Sequence, residues 1–131
     1  PLVAEDDDGT VIGHVLFSRV RFEGTGPAEV YSLAPLAVHP DHQRRGAGIA
    51  LTEEGLRRLE EMGEPLVVVE GHPSYYPRFG FERGSDHGIA PPDPRVPDEA
   101  FMVRRLSAYD PATTGTIVYP EAFHEAEAIG P

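Results

Sequence analysis

Three stretches rich in apolar residues follow one another early in the chain, and each has the composition of a β-strand. The first is Leu2 to Glu5, the second reads TVIGHVLFSRVRFE and the third reads EVYSLAPLAV. β-Branched and aromatic residues, which favour strands, are frequent in the second and third. The connections DDDG and GTGP are short, so the strands should pair as an antiparallel meander. Pro35 predicts a β-bulge or an edge in the third strand, because proline cannot donate a hydrogen bond to a sheet.

The spacing of apolar positions changes to that of a helix between Gln43 and Met62. At about 100° per residue, one face of this helix carries small and apolar side chains, and the opposite face carries charged ones. The predicted inner face comprises Gly48, Leu51, Thr52, Gly55, Leu56, Leu59 and Met62. This pattern is typical of a surface helix that packs on a sheet, and Gly63 is expected to end it.

The second half of the chain begins with PLVVVE, a continuous apolar run suited to a buried strand. A strand, a helix and a strand in this order form a βαβ unit, so Val67 to Val69 should lie parallel to the third strand. An aromatic turn, a proline-rich loop from Ala90 to Glu99, and two further strands, AFMVRRL and GTIVYP, follow. The predicted fold class is α/β, with a mixed, mostly antiparallel central sheet and one βαβ unit.

Length and charge restrict the functions that such a fold can have. The 131 residues suffice for one domain, so residues 1–131 are treated as a single unit. The formal net charge of -11, from 22 acidic and 11 basic residues, argues against nucleic acid or an anionic membrane as the partner. It is compatible with a cationic substrate such as an amine, although a solvated acidic surface is the simpler explanation.

Cysteine and long apolar runs are both absent from the sequence. Without cysteine, the chain has no disulfide, no thiolate metal ligand and no catalytic thiol. No apolar run approaches the length of a membrane span, and no signal peptide is visible. The sequence therefore predicts a cytoplasmic protein.

A glycine-rich turn, QRRGAG, stands where the predicted helix begins. The first amides of a helix have no intrahelical partner and carry partial positive charge, and glycine lets a phosphate approach them. Arg44 and Arg45 would add charge beside the same phosphate. Alternatively, Gly46 and Gly48 only allow the helix to pack tightly on the sheet. The glycines alone do not decide between these two interpretations.

Two common phosphate-binding motifs fit this turn poorly. A Walker loop ends in Gly-Lys-Ser/Thr, which is missing here. A dinucleotide-binding fold would place an acid near Glu70, but its third glycine position is occupied by Leu51, and HPDHQRR separates the strand from the glycines. His39 and His42 lack carboxylates in a recognised ligand pattern, so we predict no metal site.

Two motifs taken together resemble the GNAT superfamily of acetyl-coenzyme A-dependent N-acetyltransferases. LAPLAVHPDHQRRGAGIALTEEGL contains QRRGAG, which is similar to the pyrophosphate signature Q/R-x-x-G-x-G/A. SYYPRFGF contains a Tyr-x-x-x-Gly-Phe element from Tyr76 to Phe81. The resemblance extends from Leu2 to about Phe123 and is greatest with a bacterial branch of predicted acetyltransferases. It implies the GNAT fold, and it implies that residues 1–131 lack the first strand and two helices of that domain.

The resemblance implies acetyl-coenzyme A as cosubstrate, without a metal. The residues that would bind its pyrophosphate are Gln43, Arg44, Arg45, Gly46, Ala47, Gly48 and Ile49. In the superfamily the third strand and the Val67–Val69 strand splay apart, and the pantetheine arm pairs with the exposed backbone between them. The matching positions here are Leu36, Ala37 and Val38. An amide freed by the bulge at Pro35 could polarise the thioester carbonyl.

The resemblance further implies that a neutral amine attacks the thioester directly. Tyr76 occupies the general-acid position and would protonate the leaving thiolate, whereas without the resemblance it would be interpreted as a packing residue. Glu70 is the candidate general base, with His72 and Glu29 as alternatives. The aromatic residues expected in the core are Tyr75, Phe79 and Phe81.

The sequence therefore predicts an N-acetyltransferase that transfers an acetyl group to a primary amine of a small molecule or a protein. The alternative is a non-catalytic acyl-coenzyme A-binding regulatory domain, which would keep the phosphate-binding turn without turnover. A homodimer is also considered, because the strand GTIVYP could lie at a sheet edge and pair with a second copy.

Overall fold

The computed structural model describes residues 2–5, 11–38 and 47–119, with side chains in 17–33 and 49–119. Within these ranges one α-helix, α1 (Ala47–Glu61), accompanies an eight-stranded mixed sheet. The strands are β1 (Leu2–Glu5), β2 (Val11–Thr25), β3 (Glu29–Val38), β4 (Leu66–Glu70), β5 (Glu82–Arg83), β6 (Ile89–Ala90), β7 (Phe101–Arg105) and β8 (Thr114–Val118). Short 3-10 helices span Tyr76–Phe79, Gly84–His87 and Asp98–Ala100.

The sheet combines a meander with a parallel crossover, which confirms the predicted fold class. β1 and β3 both pair antiparallel with β2, and α1 then returns the chain so that β4 lies parallel to β3. The strand order is β5-β7-β4-β3-β2-β8-β6, and β1 pairs with the first part of β2. β5 and β6 are the first and last strands in this order, yet only the short 3-10 helix Gly84–His87 connects them along the chain. The sheet must therefore curl into a half-barrel.

Buried hydrophobic side chains form one cluster on each face of the sheet. We call the face under α1 the helix face, and its buried side chains are Leu33, Leu51, Leu56, Leu59, Val67, Val69, Tyr76, Phe79, Phe81, Met102 and Leu106. We call the other the distal face, and its buried side chains are Val20, Phe22, Val30, Leu66, Val68, Ile89, Phe101, Val103, Ile117 and Tyr119. Residues of β4 alternate between the two faces, which explains its continuous apolar sequence.

The helix α1 packs with most of the face that its spacing predicted. Its buried positions include Leu51, Thr52, Gly55, Leu56 and Leu59. At Gly55 the helix approaches β2 so closely that an added Cβ would overlap the ring of Phe17. This glycine therefore sets how closely the helix lies on the sheet.

The end of α1 differs from the prediction at one side chain. Gly63 has a φ of +79° and donates its amide to Glu60, while Glu64 donates to Leu59, which is a Schellman cap. The predicted stop at Gly63 is confirmed. Met62, expected on the inner face, is instead 58% exposed, because the helix already ends at Glu61 and the chain turns away from the sheet.

The strand β8 is not at an edge of the sheet, contrary to the expectation for GTIVYP. It pairs antiparallel with β2, from Arg21–Val118 to Thr25–Thr114, and parallel with β6 on its other side. The proposed route to a dimer through a free β8 edge was therefore wrong. Oligomerisation itself stays a prediction from the sequence.

Candidate active site

The parallel strands β3 and β4 start side by side and then separate. Within the described backbone they pair at Tyr31–Val67 and Ser32–Val68, and the ladder ends there. Both strands nevertheless continue, β3 to Val38 and β4 to Glu70. The remaining part of β3 thus has no β4 partner. We call the region between the carboxyl halves of these two strands the β3–β4 opening.

A β-bulge in β3 lies beside this opening. β2 pairs His14 with Ala37 and Val15 with Pro35, so Leu36 is the extra residue on β3. Pro35 has no N–H to contribute to a regular ladder, and a bulge bends and twists the strand that carries it. The bulge predicted from Pro35 is confirmed, and it gives a physical reason for the divergence of β3 from β4.

The glycine-rich turn is described only in part. Residues outside the described ranges include Gln43, Arg44, Arg45 and Gly46. For Leu36, Ala37, Val38, Ala47 and Gly48 the structure describes the backbone but not the side chains. α1 begins at Ala47, and its first turn contains no acidic residue. Ile49 packs against the helix-face cluster, so its backbone rather than its side chain would serve a ligand.

Tyr76 lies just beyond the carboxyl end of β4, on the helix face. It begins the 3-10 helix Tyr76–Phe79, and its ring covers Gly71, where an added Cβ would overlap the ring. The side chain is 5% exposed. Its ring centroid lies 5.0 Å from that of Tyr75 and 5.7 Å from that of Phe81, both with edge-to-face geometry. Tyr76 is therefore held in one position by its aromatic neighbours.

Burial of the Tyr76 hydroxyl changes its chemistry. Removal from solvent raises the pKa of this side chain to about 12, and Tyr75 contributes further in the same direction. An ordinary tyrosine titrates near pH 10, so Tyr76 is neutral at physiological pH. It can therefore donate a hydrogen bond or a proton, but it cannot act as a base.

Glu70 ends β4 on the distal face, because it continues the alternation of Leu66 and Val68. Its carboxylate Oε1 accepts a hydrogen bond of 2.7 Å from the hydroxyl of Tyr119, in a partly buried setting. Tyr119 directly follows β8, is 7% exposed and belongs to the distal-face cluster. Tyr76 and Glu70 thus lie near the same end of β4 but on opposite faces of the sheet.

The alternative candidate bases are less well placed. Glu29 is the first residue of β3, at the end remote from the β3–β4 opening, and lies 3.8 Å from Arg19. His72 is exposed, and its Nδ1 lies 3.2 Å from the hydroxyl of Ser74. Position therefore argues against Glu29. The carbonyl of His72 accepts a hydrogen bond from the amide of Tyr76, but its exposed imidazole contacts Ser74 instead.

The remaining predictions for this region concern the neighbouring aromatic residues. Phe79 and Phe81 are buried in the helix-face cluster and Tyr75 packs against it, which confirms their predicted place in the core. Tyr119 was not predicted. A tyrosine at the end of an apolar strand is an ordinary core residue by sequence, and no spacing relates it to Glu70.

The described part of the chain contains neither a metal-binding cluster nor a membrane-spanning helix. There, no three His, Asp or Glu side chains come together as a metal site. In those same residues, no helix has the length and hydrophobicity needed to cross a bilayer.

Comparison with known protein families agrees with this geometry. The family profile described as the acetyltransferase (GNAT) domain matches residues 2–83. This protein belongs to the GNAT acetyltransferase family. The match includes the meander, the βαβ unit and Tyr76, and it confirms the resemblance on which the sequence prediction depended. It also confirms the predicted acyltransferase class.

Two uncharacterized N-acetyltransferases of Escherichia coli K12 are similar to this GNAT domain. YhbS is 44% identical over 128 residues, which cover 94% of this chain and 73% of YhbS. YjhQ is 40% identical over 115 residues, which cover 84% of this chain and 63% of YjhQ. The chain therefore spans less than two thirds of YjhQ and somewhat more of YhbS.

Two solved structures show the same fold with a bound cofactor. The crystal structure of E. coli YhbS in complex with CoA has a TM-score of 0.83 and 40% identity, and the match covers 93% of this chain and 67% of that chain. The crystal structure of a GNAT family acetyltransferase from Brucella melitensis in complex with acetyl-CoA has a TM-score of 0.69 and 32% identity. That match covers 92% of this chain and 66% of the Brucella chain. The GNAT fold predicted from the sequence is confirmed.

Proposed function

We propose that this protein transfers the acetyl group of acetyl-coenzyme A to a primary amine of a small molecule or a protein. The observation that carries the proposal is the arrangement around the carboxyl end of β4. A strand pair stops pairing there, with a neutral hydroxyl, Tyr76, on one face and a carboxylate, Glu70, on the other. The CoA and acetyl-CoA bound in the two solved relatives support the identity of the cosubstrate.

The residues present are suited to a cosubstrate that enters from the helix face. The start of α1 offers free amides, and its first turn has no carboxylate to repel a phosphate. We expect Gln43, Arg44, Arg45 and the amides from Gly46 to Ile49 to hold the pyrophosphate. The unpaired backbone of β3 at Leu36, Ala37 and Val38 would hold the pantetheine arm as an added strand.

The amine would then arrive from the distal face, where Glu70 can act on it. Glu70 accepts a proton from the amine, directly or through a water molecule, and the nitrogen forms a bond to the carbonyl carbon. The carbon–sulfur bond breaks, and the sulfur receives a hydrogen bond or a proton from Tyr76. The products are an amide and a free thiol, and proton exchange with solvent restores both side chains.

The raised pKa of Tyr76 indicates how it assists the leaving group. With a pKa of about 12, the hydroxyl holds its proton more tightly than an ordinary thiol, whose pKa is about 8.5. A hydrogen bond to the departing sulfur is therefore the principal contribution, and complete proton transfer is not required. A donor in a dry, aromatic surrounding is worth more than the same donor in water.

The proposal is tested by measuring thiol release from acetyl-coenzyme A with a panel of amines, polyamines and peptide amino termini. We expect thiol release that depends on an amine. Tyr76→Phe should lower kcat about 100-fold, because an acid is lost, while affinity for acetyl-coenzyme A is kept. Tyr75→Phe is the matched control, since it removes a hydroxyl from the adjacent ring and should leave kcat near the wild-type value.

The opposite outcome has a defined meaning. If the protein binds acetyl-coenzyme A and no amine in the panel leads to thiol release, a non-catalytic acyl-coenzyme A-binding domain is the better description. The net charge of -11 favours a positively charged amine as acceptor over nucleic acid or an anionic membrane. A cytoplasmic location, a homodimer and a single domain over residues 1–131 stay predictions from the sequence.

A further inference from the structure

The hydrogen bond between Tyr119 and Glu70 connects the ends of two strands that are 49 residues apart in sequence. The donor–acceptor distance is 2.7 Å, and the pair is partly buried. A hydroxyl that donates to a carboxylate at this distance makes a stronger bond than two neutral groups do. The ring of Tyr119 is buried and β8 is paired on both sides, so the donor has a defined position.

The carboxylates of the described chain have two kinds of partner, arginine side chains and neutral hydroxyls. Glu54, Glu61 and Glu82 each form an ion pair with an arginine. Glu60 accepts from the hydroxyl and the amide of Ser107 on the protein surface. Glu70 accepts from the hydroxyl of Tyr119 in a partly buried setting. A hydroxyl orients the carboxylate without placing a positive charge beside it, whereas a guanidinium would pair with its negative charge.

Among the described residues, this contact occupies only one of the two carboxylate oxygens. A carboxylate has two oxygens with about four acceptor positions, and Tyr119 donates to Oε1. No residue in the described ranges donates to Oε2. An unrestrained glutamate at a strand end samples several rotamers, and holding it in one of them removes an entropic cost from each turnover.

We propose that Tyr119 is a positioning residue for acetyl transfer, whose hydroxyl holds the Glu70 carboxylate at the β3–β4 opening and leaves Oε2 to accept the proton of the amine. The inference rests on the proposed function, because it requires Glu70 to act as the base. The competing explanation is a purely structural one, in which the bond only fastens the end of β8 to the end of β4.

A double-mutant cycle separates these two explanations. The variants are Tyr119→Phe, Glu70→Gln and the double variant, and phenylalanine keeps the packed ring while glutamine keeps an oxygen that accepts from Tyr119. Glu70→Gln should lower kcat about 100-fold, and Tyr119→Phe about 10-fold, with the KM for acetyl-coenzyme A unchanged. Because Tyr119 acts through Glu70, the double variant should be no slower than Glu70→Gln alone.

Tyr109→Phe is the matched control, because Tyr109 also packs against the distal-face cluster. It should leave kcat unchanged. Tyr119→Phe should lower Tm more than Tyr109→Phe does, because it leaves the partly buried Glu70 carboxylate without its hydroxyl partner, so the loss of kcat is the readout that a structural role alone would not produce. A kcat that Tyr119→Phe does not alter, or effects of Tyr119→Phe and Glu70→Gln that multiply, would overturn the positioning role.

The outcomes also distinguish this inference from the proposed function. If the wild-type protein turns over an amine but Glu70→Gln is fully active, acetyl transfer stands and the role of Tyr119 is refuted. If the wild-type protein binds acetyl-coenzyme A and turns over no amine, the proposed function and this inference fail together.

Discussion

Each face of the sheet carries one polar side chain near the carboxyl end of β4, and the two side chains have different surroundings. On the helix face, Tyr76 lies among aromatic rings, and burial raises its pKa to about 12. On the distal face, Glu70 is partly buried and accepts a hydrogen bond from Tyr119. The dry surrounding keeps the Tyr76 hydroxyl neutral, whereas the hydroxyl of Tyr119 fixes the position of the Glu70 carboxylate.

Under the proposed mechanism, this difference is how one strand would separate an acid from a base. Successive side chains of a strand point to opposite faces, so a group at Glu70 and one that folds back over Gly71 reach opposite sides of the sheet. In the proposed reaction, Tyr76 would reach the leaving sulfur from one face of the sheet and Glu70 would reach the attacking amine from the other. In the proposed mechanism, these different surroundings suit Tyr76 to act as the acid and Glu70 to act as the base.

The largest effect is expected from removing the apolar support of the distal face. Phe101 is 1% exposed and pairs with Glu70 across β7 and β4. Phe101→Ala should lower the free energy of unfolding by about 3–5 kcal/mol, because it leaves a cavity in the core. Urea denaturation measures this loss. Met62→Ala, at an exposed position, should change stability by less than about 0.5 kcal/mol, and equal effects of the two would contradict the described core.

The next largest effect is expected from a substitution at Gly71, which changes the packing of the helix face alone. A Cβ at residue 71 would overlap the ring of Tyr76, so Gly71→Ala should displace the hydroxyl and lower kcat roughly 10-fold. Overpacking should also cost about 1–3 kcal/mol of stability.

Gly63→Ala is the control for that stability loss. Gly63 has a φ of +79° at the far end of α1, with no atom within 4 Å of an added Cβ, so alanine there strains the backbone without touching Tyr76. It should lower Tm and leave kcat unchanged. An equal loss of kcat in both variants would mean that stability, rather than the position of Tyr76, limits activity.

A third variant tests whether the cosubstrate enters on the helix face. Arg44→Ala combined with Arg45→Ala should raise the KM for acetyl-coenzyme A about 10-fold, because two charges near the pyrophosphate are lost. Arg57→Ala with Arg58→Ala removes the same charge from the exposed face of α1 and should have little effect. An unchanged KM in the first pair would indicate that the backbone amides carry the binding.

The smallest effect concerns stability at alkaline pH. The pKa of Tyr76 is raised on folding from about 10 to about 12, so its contribution is complete below pH 10 and decreases as pH rises towards 12. The difference in unfolding free energy between the wild-type protein and Tyr76→Phe should therefore change between pH 9 and pH 11.5. Urea midpoints at several pH values measure it, and a constant difference would show that Tyr76 is not buried.

Much of the fold was predictable because its signals are local. The meander and the βαβ unit follow from apolar spacing and short turns, and the bulge follows from the missing N–H of Pro35. Met62 was misplaced because the helix end depends on one cap at Gly63 rather than on periodicity. The interior position of β8 was missed because strand order depends on contacts between distant segments, such as β8 with β6.

The sequence alone determined the family, through QRRGAG and the Tyr76 element, and it named Tyr76 and Glu70 as candidates for the site. Only the tertiary structure decided that these two side chains lie on opposite faces of the sheet, because that depends on which face α1 covers. It alone also brought Tyr119 to Glu70. Spacing along a chain reports the faces of single strands and helices, whereas a hydrogen bond across 49 residues exists only after the sheet has curled.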